Sequence, residues 1–355
     1  MIKDFKLGRK KIGLNTKPYF IAEVGVNHEN KISRAKKLIE LAKEGGADGV
    51  KFQTYKAEKI ACKKSPYYWD IKEIPVKSQF KLFKKFDKFG SKEYKILKKY
   101  CDELKIDFLS TPFDLDAVDY LNDLVPFFKI ASADLTNFPL IKKICSKNKP
   151  IVLSTGASNL NEIKNSVKYI NKVNPKIRLI ILHCILSYPT NYEFAHLETI
   201  KNLSKQFPKN IIGLSDHSFP DNNMIVLTTA YMLGARVIEK HFSDVKGTKG
   251  NDHFHSLDKT DLIKFKNNIE LISKIVKSQK GRPIFKCEKT SRKNARRSIV
   301  TLGNINKGEI FTEKNLIMKR PGFGISPIKI KQIYGKKAKK NLSDDYIIRW
   351  SDIKK

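Results

Sequence analysis

The chain has 355 residues, 41% hydrophobic and 10% aromatic, enough for one large fold with a small companion and too apolar for wholesale disorder. Its formal net charge of +34 comes from 60 lysines against 10 arginines spread along the whole length, which points to a solvated lysine surface and away from a nucleic-acid face built on arginine forks. No apolar run approaches the roughly 18–20 residues of a membrane span, MIKDFKLGRKKIG lacks a secretory apolar core, and five scattered cysteines form no CxxC pair, so a cytoplasmic chain with no membrane and no specific nucleic-acid partner is expected.

Short β-branched runs recur, each ending in a polar residue and each followed by a helical pattern. The first four are Tyr19–Gly25, Gly49–Gln53, Asp107–Thr111 and Phe127–Ala131. The next four are Pro150–Thr155, Arg178–Cys184, Ile211–His217 and Arg236–His241. Between the first two, Ile32, Ala35, Leu38, Ile39 and Ala42 mark one face of a helix over Lys31–Glu44, which Gly45 and Gly46 stop. Eight strand–helix units within about 260 residues is the count and size of a TIM (β/α)8 barrel, with an open doubly wound sheet as the rival. Thr54–Gly90, carrying Tyr67, Tyr68 and Trp69, is a long insertion, either a lid or a surface excursion. The last barrel helix is expected around Leu262–Lys277. Residues 278–293 are polar and read as a linker, and from 294 short strands and turns suggest a small separate domain. The expected division is therefore 1–277, 278–293 and 294–355.

Catalytic groups of such barrels sit at the carboxyl ends of the strands, and those ends are unusually polar here. Glu23, Lys51, Gln53, Lys129, Ser154, His183, Ser215, His217, Glu239 and His241 form the expected ring. Desolvating so many polar groups is costly unless a ligand or a network satisfies them. Lys51 and Lys129 offer two point charges for one polyanion, and Ser154 and Ser215 can donate to the same oxygens. His217 and His241, on neighbouring strands about 4.8 Å apart, could hold one divalent ion with open positions for water or substrate, or could be hydrogen-bonded packing. His255 reads as an ordinary loop residue. Cys184 beside His183 hints at a nucleophile pair, but adjacent strand residues face opposite ways.

Several motifs occur in order. They are AEVGVNHE (22–29), GADGVKFQTY (46–55), FLSTPFD (108–114), FKIASADLTNFPLI (128–141), LSTGAS (153–158), HCILSYPT (183–190), GLSDHSFPD (213–221), VIEKHF (237–242) and GNDHFHSLD (250–258), with RRSIV and MKRPGFGIS in the tail. From about residue 18 to 340 the chain resembles the bacterial sialic acid synthases, the N-acetylneuraminate synthase family that includes legionaminic and pseudaminic acid synthases and carries a terminal antifreeze-like (SAF) domain. That resemblance implies a C–C bond-forming transferase that condenses phosphoenolpyruvate with an N-acetylmannosamine-type sugar and releases phosphate. It assigns phosphoenolpyruvate contacts to Lys51, Thr111, Lys129, Ser132, Ser154 and Ser215. It assigns sugar contacts to Gln53, Tyr188 and Asp252, and a metal, manganese first with magnesium or cobalt as alternatives, to His217 and His241. Arg320 would reach a partner's barrel mouth in a domain-swapped homodimer. Glu23 and Asp134 are the two candidates for proton transfer, with Asp134 standing where other members often have Glu. Leu186 replaces a polar phosphoenolpyruvate contact. The rival chemistry is a related condensation giving a seven- or eight-carbon sugar acid, and the rival class is a lysine-rich nucleic-acid-binding protein.

Overall fold

The computed structural model describes residues 2–276 and 281–354. The chain divides into two units, Met1–Val276 and Lys277–Lys355. The first opens with an antiparallel hairpin, β1 (Phe5–Leu7) and β2 (Lys10–Ile12). All eight apolar runs then form strands: β3 (Tyr19–Gly25), β4 (Gly49–Thr54), β5 (Asp107–Pro112), β6 (Phe128–Ile130), β7 (Ile151–Ser154), β8 (Leu179–Cys184), β9 (Ile211–Asp216) and β10 (Val237–His241). They hydrogen-bond in the order β5-β4-β3-β10-β9-β8-β7-β6, every assigned pair parallel. The end strands β5 and β6 pack side by side, so the sheet rolls into a nearly closed TIM-like barrel.

The two-residue strand period sorts the side chains. Outward residues such as Phe20, Val50, Phe52, Ile181 and Leu214 pack beneath the helices. The helix Ile32–Glu44 buries Ala35, Leu38, Ile39 and Ala42, and Gly46, at φ 89°, turns the chain back toward β4. Inward, the amino-terminal half of the barrel is apolar. Tyr19, Ile21, Leu109, Phe127, Val152 and Ile180 fill it, and Leu7 and Ile12 of the hairpin pack into the same cluster. The hairpin therefore plugs the barrel floor. Asp107 anchors it, accepting hydrogen bonds from Arg9 N (2.8 Å) and the Tyr19 hydroxyl (2.7 Å). Gly213 is required one layer up, because a Cβ there would lie 2.1 Å from the Val237 carbonyl oxygen.

The insertion after β4 folds into helices Ala57–Ile60 and Gln79–Phe86. Trp69, in the segment that connects them, is buried, its indole N–H donating to the Ile74 and Val76 carbonyls, both at 3.1 Å. The last barrel helix spans Lys259–Ile275, and Lys277 lies outside the described residues.

Of the segment expected as a linker, 278–280 lie outside the described residues. The remainder is a turn and a helix: Arg282 pairs with Glu288 at 2.8 Å, and Lys286–Glu288 leads into a helix over Lys289–Ala295. The second unit continues with antiparallel strands β11 (Ser298–Thr301) and β12 (Leu316–Lys319) around a core of Ile299, Ile305, Phe311, Ile333 and Ile348.

Candidate active site

At the carboxyl ends of the strands the barrel opens into a cavity of about 460 Å³. Its base is a four-membered charge cluster. Lys51 Nζ lies 2.7 Å from Glu23 Oε2, 2.8 Å from the Thr111 hydroxyl and 3.8 Å from Glu239 Oε2. Lys129 Nζ lies 3.6 Å from Glu239 Oε1, which also accepts from the Ser215 hydroxyl at 3.0 Å. Gln53 donates to Glu23 Oε1 at 3.1 Å. All four charged residues are at most 6% exposed. Gly25, at φ 54° on the bulge ending β3, keeps this corner open: a Cβ would come within 3.1 Å of Gln53 Nε2 and 3.4 Å of Glu23 Oε1.

Burial and pairing act on these groups differently. Burial drives the Glu23 carboxyl up to about 7, assisted by the Glu239 charge and opposed by Lys51. Burial alone would raise Glu239 too, but Lys129 and Lys51 together hold it below the usual carboxylate range. Lys51 stays above the usual lysine value against its burial because Glu23 and Glu239 face it. Lys129 is lowered by burial, with the Lys51 charge adding to the effect. Glu239 thus carries the firm negative charge and Glu23 is the group poised to exchange a proton. Both carboxylates bond to the lysines and their neighbours.

The imidazoles gather on the β9–β10 side. The His217 and His241 ring centres are 5.6 Å apart, and Tyr188 stacks over His217 at 4.2 Å. His217 Nδ1 meets the Ile185 carbonyl at 2.7 Å; a carbonyl can only accept, so a proton sits on Nδ1, and against burial Cys184 and this carbonyl hold the imidazole above its usual value. His255, expected as an ordinary loop residue, is fully buried, 4.7 Å from the His241 ring, with neither nitrogen bonded. The ligand atoms of His241, Asp252 and His255 lie within 4.8 Å of one another. Burial, reinforced by neighbouring positive charge, holds both of these histidines well below the usual imidazole value, as neutral donors. Burial pushes Asp252 up to about 6.

Ser132, Ser154, Asp134 and Tyr188 also line the cavity. The Ser154 hydroxyl is buried without a partner, and Ser132 Oγ accepts from Gly156 N at 2.9 Å. Asp134 accepts from Asn137 through Oδ1 at 2.9 Å while Oδ2 is buried and unpaired, and burial raises its carboxyl. Arg320 belongs to the second unit and is exposed. His183 is not in the ring: it faces outward and bonds the Ala195 carbonyl at 2.8 Å, because Leu182 and Cys184 take the inward positions of β8. Cys184, on the inward face, has its sulfur 3.8 Å from His217 Nδ1. Its place was readable from the strand period, whereas His255 carried no local signal of burial.

The family model described as the NeuB family matches residues 38–281, and that of the SAF domain matches residues 296–354. An N,N'-diacetyllegionaminic acid synthase from Campylobacter jejuni is 40% identical, the match covering 94% of this chain and 99% of the relative. The Legionella pneumophila protein of the same description is 33% identical, with 98% and 97% covered. Among solved structures, the N-acetylneuraminic acid synthetase of Leptospira borgpetersenii is 32% identical with a TM-score of 0.70, covering 82% of this chain and 95% of its own.

Proposed function

Since the chain belongs to the NeuB family of nonulosonic (sialic, legionaminic and pseudaminic) acid synthases, we propose that its barrel cavity joins phosphoenolpyruvate to the aldehyde of an open-chain N-acylated hexosamine and releases phosphate. One observation supports this above all: two buried ammonium groups and the unpaired Ser154 hydroxyl face the same cavity as the His217 and His241 imidazoles. An enol phosphate and a sugar aldehyde need those two environments side by side. The names of the Campylobacter and Legionella relatives favour a doubly N-acetylated product.

In this reading Lys51 and Lys129 hold the carboxylate and phosphate, with Thr111, Ser132, Ser154 and Ser215 donating hydrogen bonds. The methylene carbon of phosphoenolpyruvate bonds to the aldehyde carbon, whose oxygen takes a proton. Water adds to the resulting cationic carbon, giving up a proton, and collapse of the tetrahedral adduct breaks the carbon–oxygen bond to phosphate. Glu23 is the proton carrier, because its carboxyl sits near neutrality beside Lys51. Asp134 is further along the wall and positions Asn137.

The unpaired nitrogens and nearby carboxylate fit a divalent cation, manganese before magnesium or cobalt. His241, Asp252 and His255 would hold it, with His217 Nε2 facing the same space; bound there, it would polarise the aldehyde oxygen as a Lewis acid. Gln53 and Tyr188 would orient the sugar. Arg320 of a partner subunit would complete the mouth in a homodimer, acting in the cytoplasm.

The test is phosphate release from phosphoenolpyruvate with a panel of N-acetylated hexoses, with and without chelator. Release only with phosphorylated seven- or eight-carbon precursors would move the chain to the rival condensation, and no release with any sugar would overturn the proposal.

A further inference from the structure

Strands β9 and β10 carry a buried ion pair that faces away from the cavity. Lys240 and Asp216 are register partners, and Lys240 Nζ lies 2.5 Å from Asp216 Oδ2. They are 1% and 6% exposed. Ile212, Leu214 and Ile238, earlier on the same faces of the two strands, belong to the apolar layer beneath the helices, and an aliphatic pair would simply continue it. Well-packed apolar residues of similar volume are often as stabilising as a buried ion pair, so this one calls for a role other than stability. Its hydrogen bonds show where it acts. Lys240 Nζ also donates to the Ser218 carbonyl at 2.6 Å, while Asp216 accepts from Ser218 N at 3.1 Å and from the Ser218 hydroxyl at 2.9 Å. The pair thus grips the backbone on both sides of His217, and Lys240 itself precedes His241.

We propose that Lys240 and Asp216 are positioning residues, a clamp behind the sheet that fixes how His217 and His241 present their imidazoles to one cation. The inference rests on the metal reading given above. The β9–β10 register ends at the Asp216–Lys240 pair, so His217 stands just past the last paired residue, where the ladder no longer sets its direction. Two further contacts hold it, the Thr190 N–H on its carbonyl at 3.0 Å and the Ile185 carbonyl on its ring at 2.7 Å. Both come from the loop after β8, whereas the clamp alone ties the His217 turn to the strand that carries His241. The two rings stand 5.6 Å apart, a separation that a slip of the turn would change. Groups that orient ligands from behind are worth roughly 10- to 100-fold in metal affinity.

The experiment sets manganese affinity against phosphoenolpyruvate affinity in the wild type and in the double variant Asp216→Asn, Lys240→Met. That variant removes both charges together and leaves an amide oxygen to accept from Ser218 N. Manganese, followed by equilibrium dialysis, is expected to bind the folded double variant about tenfold more weakly or worse. Phosphoenolpyruvate, titrated calorimetrically in the presence of chelator, should hold within about twofold, since Lys51, Thr111 and Lys129 lie on β4, β5 and β6 and share no partner with the clamp. Unchanged manganese affinity in the folded double variant, or an equal loss for both ligands, overturns the assignment. If the double variant does not fold, Asp216→Asn alone decides: manganese about threefold weaker supports the clamp, because a charge-assisted bond is lost, and an unchanged affinity refutes it. A wild type that binds no manganese removes the metal reading itself.

Discussion

Replacing Lys51 with Met should produce a stability defect that grows with pH. Lys51 is the direct ionic partner of Glu23, at 2.7 Å, and both side chains are all but sealed from water. Removing one partner of a buried pair typically costs about 3–5 kcal/mol, because a charge is left uncompensated. Glu23 has an escape, since its carboxyl already titrates near 7 and without the ammonium it moves higher. A carboxyl raised in the folded state binds more protons there than when unfolded, so its contribution is complete below the unfolded value near 4.5 and is lost as pH rises through the folded value. Wild type and variant therefore lose stability in parallel up to about pH 6. Above pH 7 the wild type levels off while the variant keeps falling, and the gap widens by up to about 1.4 kcal/mol per pH unit. Urea unfolding from pH 5.5 to 8.5, followed by Trp69 fluorescence in a Trp350→Phe background, reads the barrel unit alone. Adding Glu23→Gln should flatten the trend. A gap independent of pH, or one that shrinks above pH 7, would refute the reasoning.

Ser154→Ala should raise the KM for phosphoenolpyruvate about tenfold, a hydrogen bond to a charged group being worth about 1.5–3 kcal/mol, while the melting temperature stays level or rises, because an orphaned buried hydroxyl is removed. His255→Ala should weaken manganese binding at least tenfold, read by metal content after dialysis; full retention of metal would exclude His255 as a ligand. Arg320→Ala should cut sugar turnover without altering barrel unfolding, and a monomeric, fully active wild type in light scattering would remove its assigned role.

The barrel was legible because each strand is a short β-branched run bounded by a helix pattern, and its polar rim because inward side chains recur every second residue. The same count, begun from Leu182, places Cys184 inward and His183 outward. The hairpin was hidden by composition: Lys6, Lys10 and Lys11 gave its sequence the look of a charged tail, though Leu7 and Ile12 are completely buried. His255 was out of reach for another reason. The rings around it come from Tyr188, His217 and His241, which lie far from it in the chain, as well as from its neighbour Phe254.

The plugged floor governs traffic. With Leu7 and Ile12 packed into one end, the described residues leave Lys51 and Lys129 open at the other, through the cavity that Tyr188 borders. In the reaction proposed above, a sugar lodged at that threshold would bar the way to the anion seat behind it. Phosphoenolpyruvate would then have to enter ahead of the sugar, and sugar alone at high concentration would obstruct the enzyme until it departs.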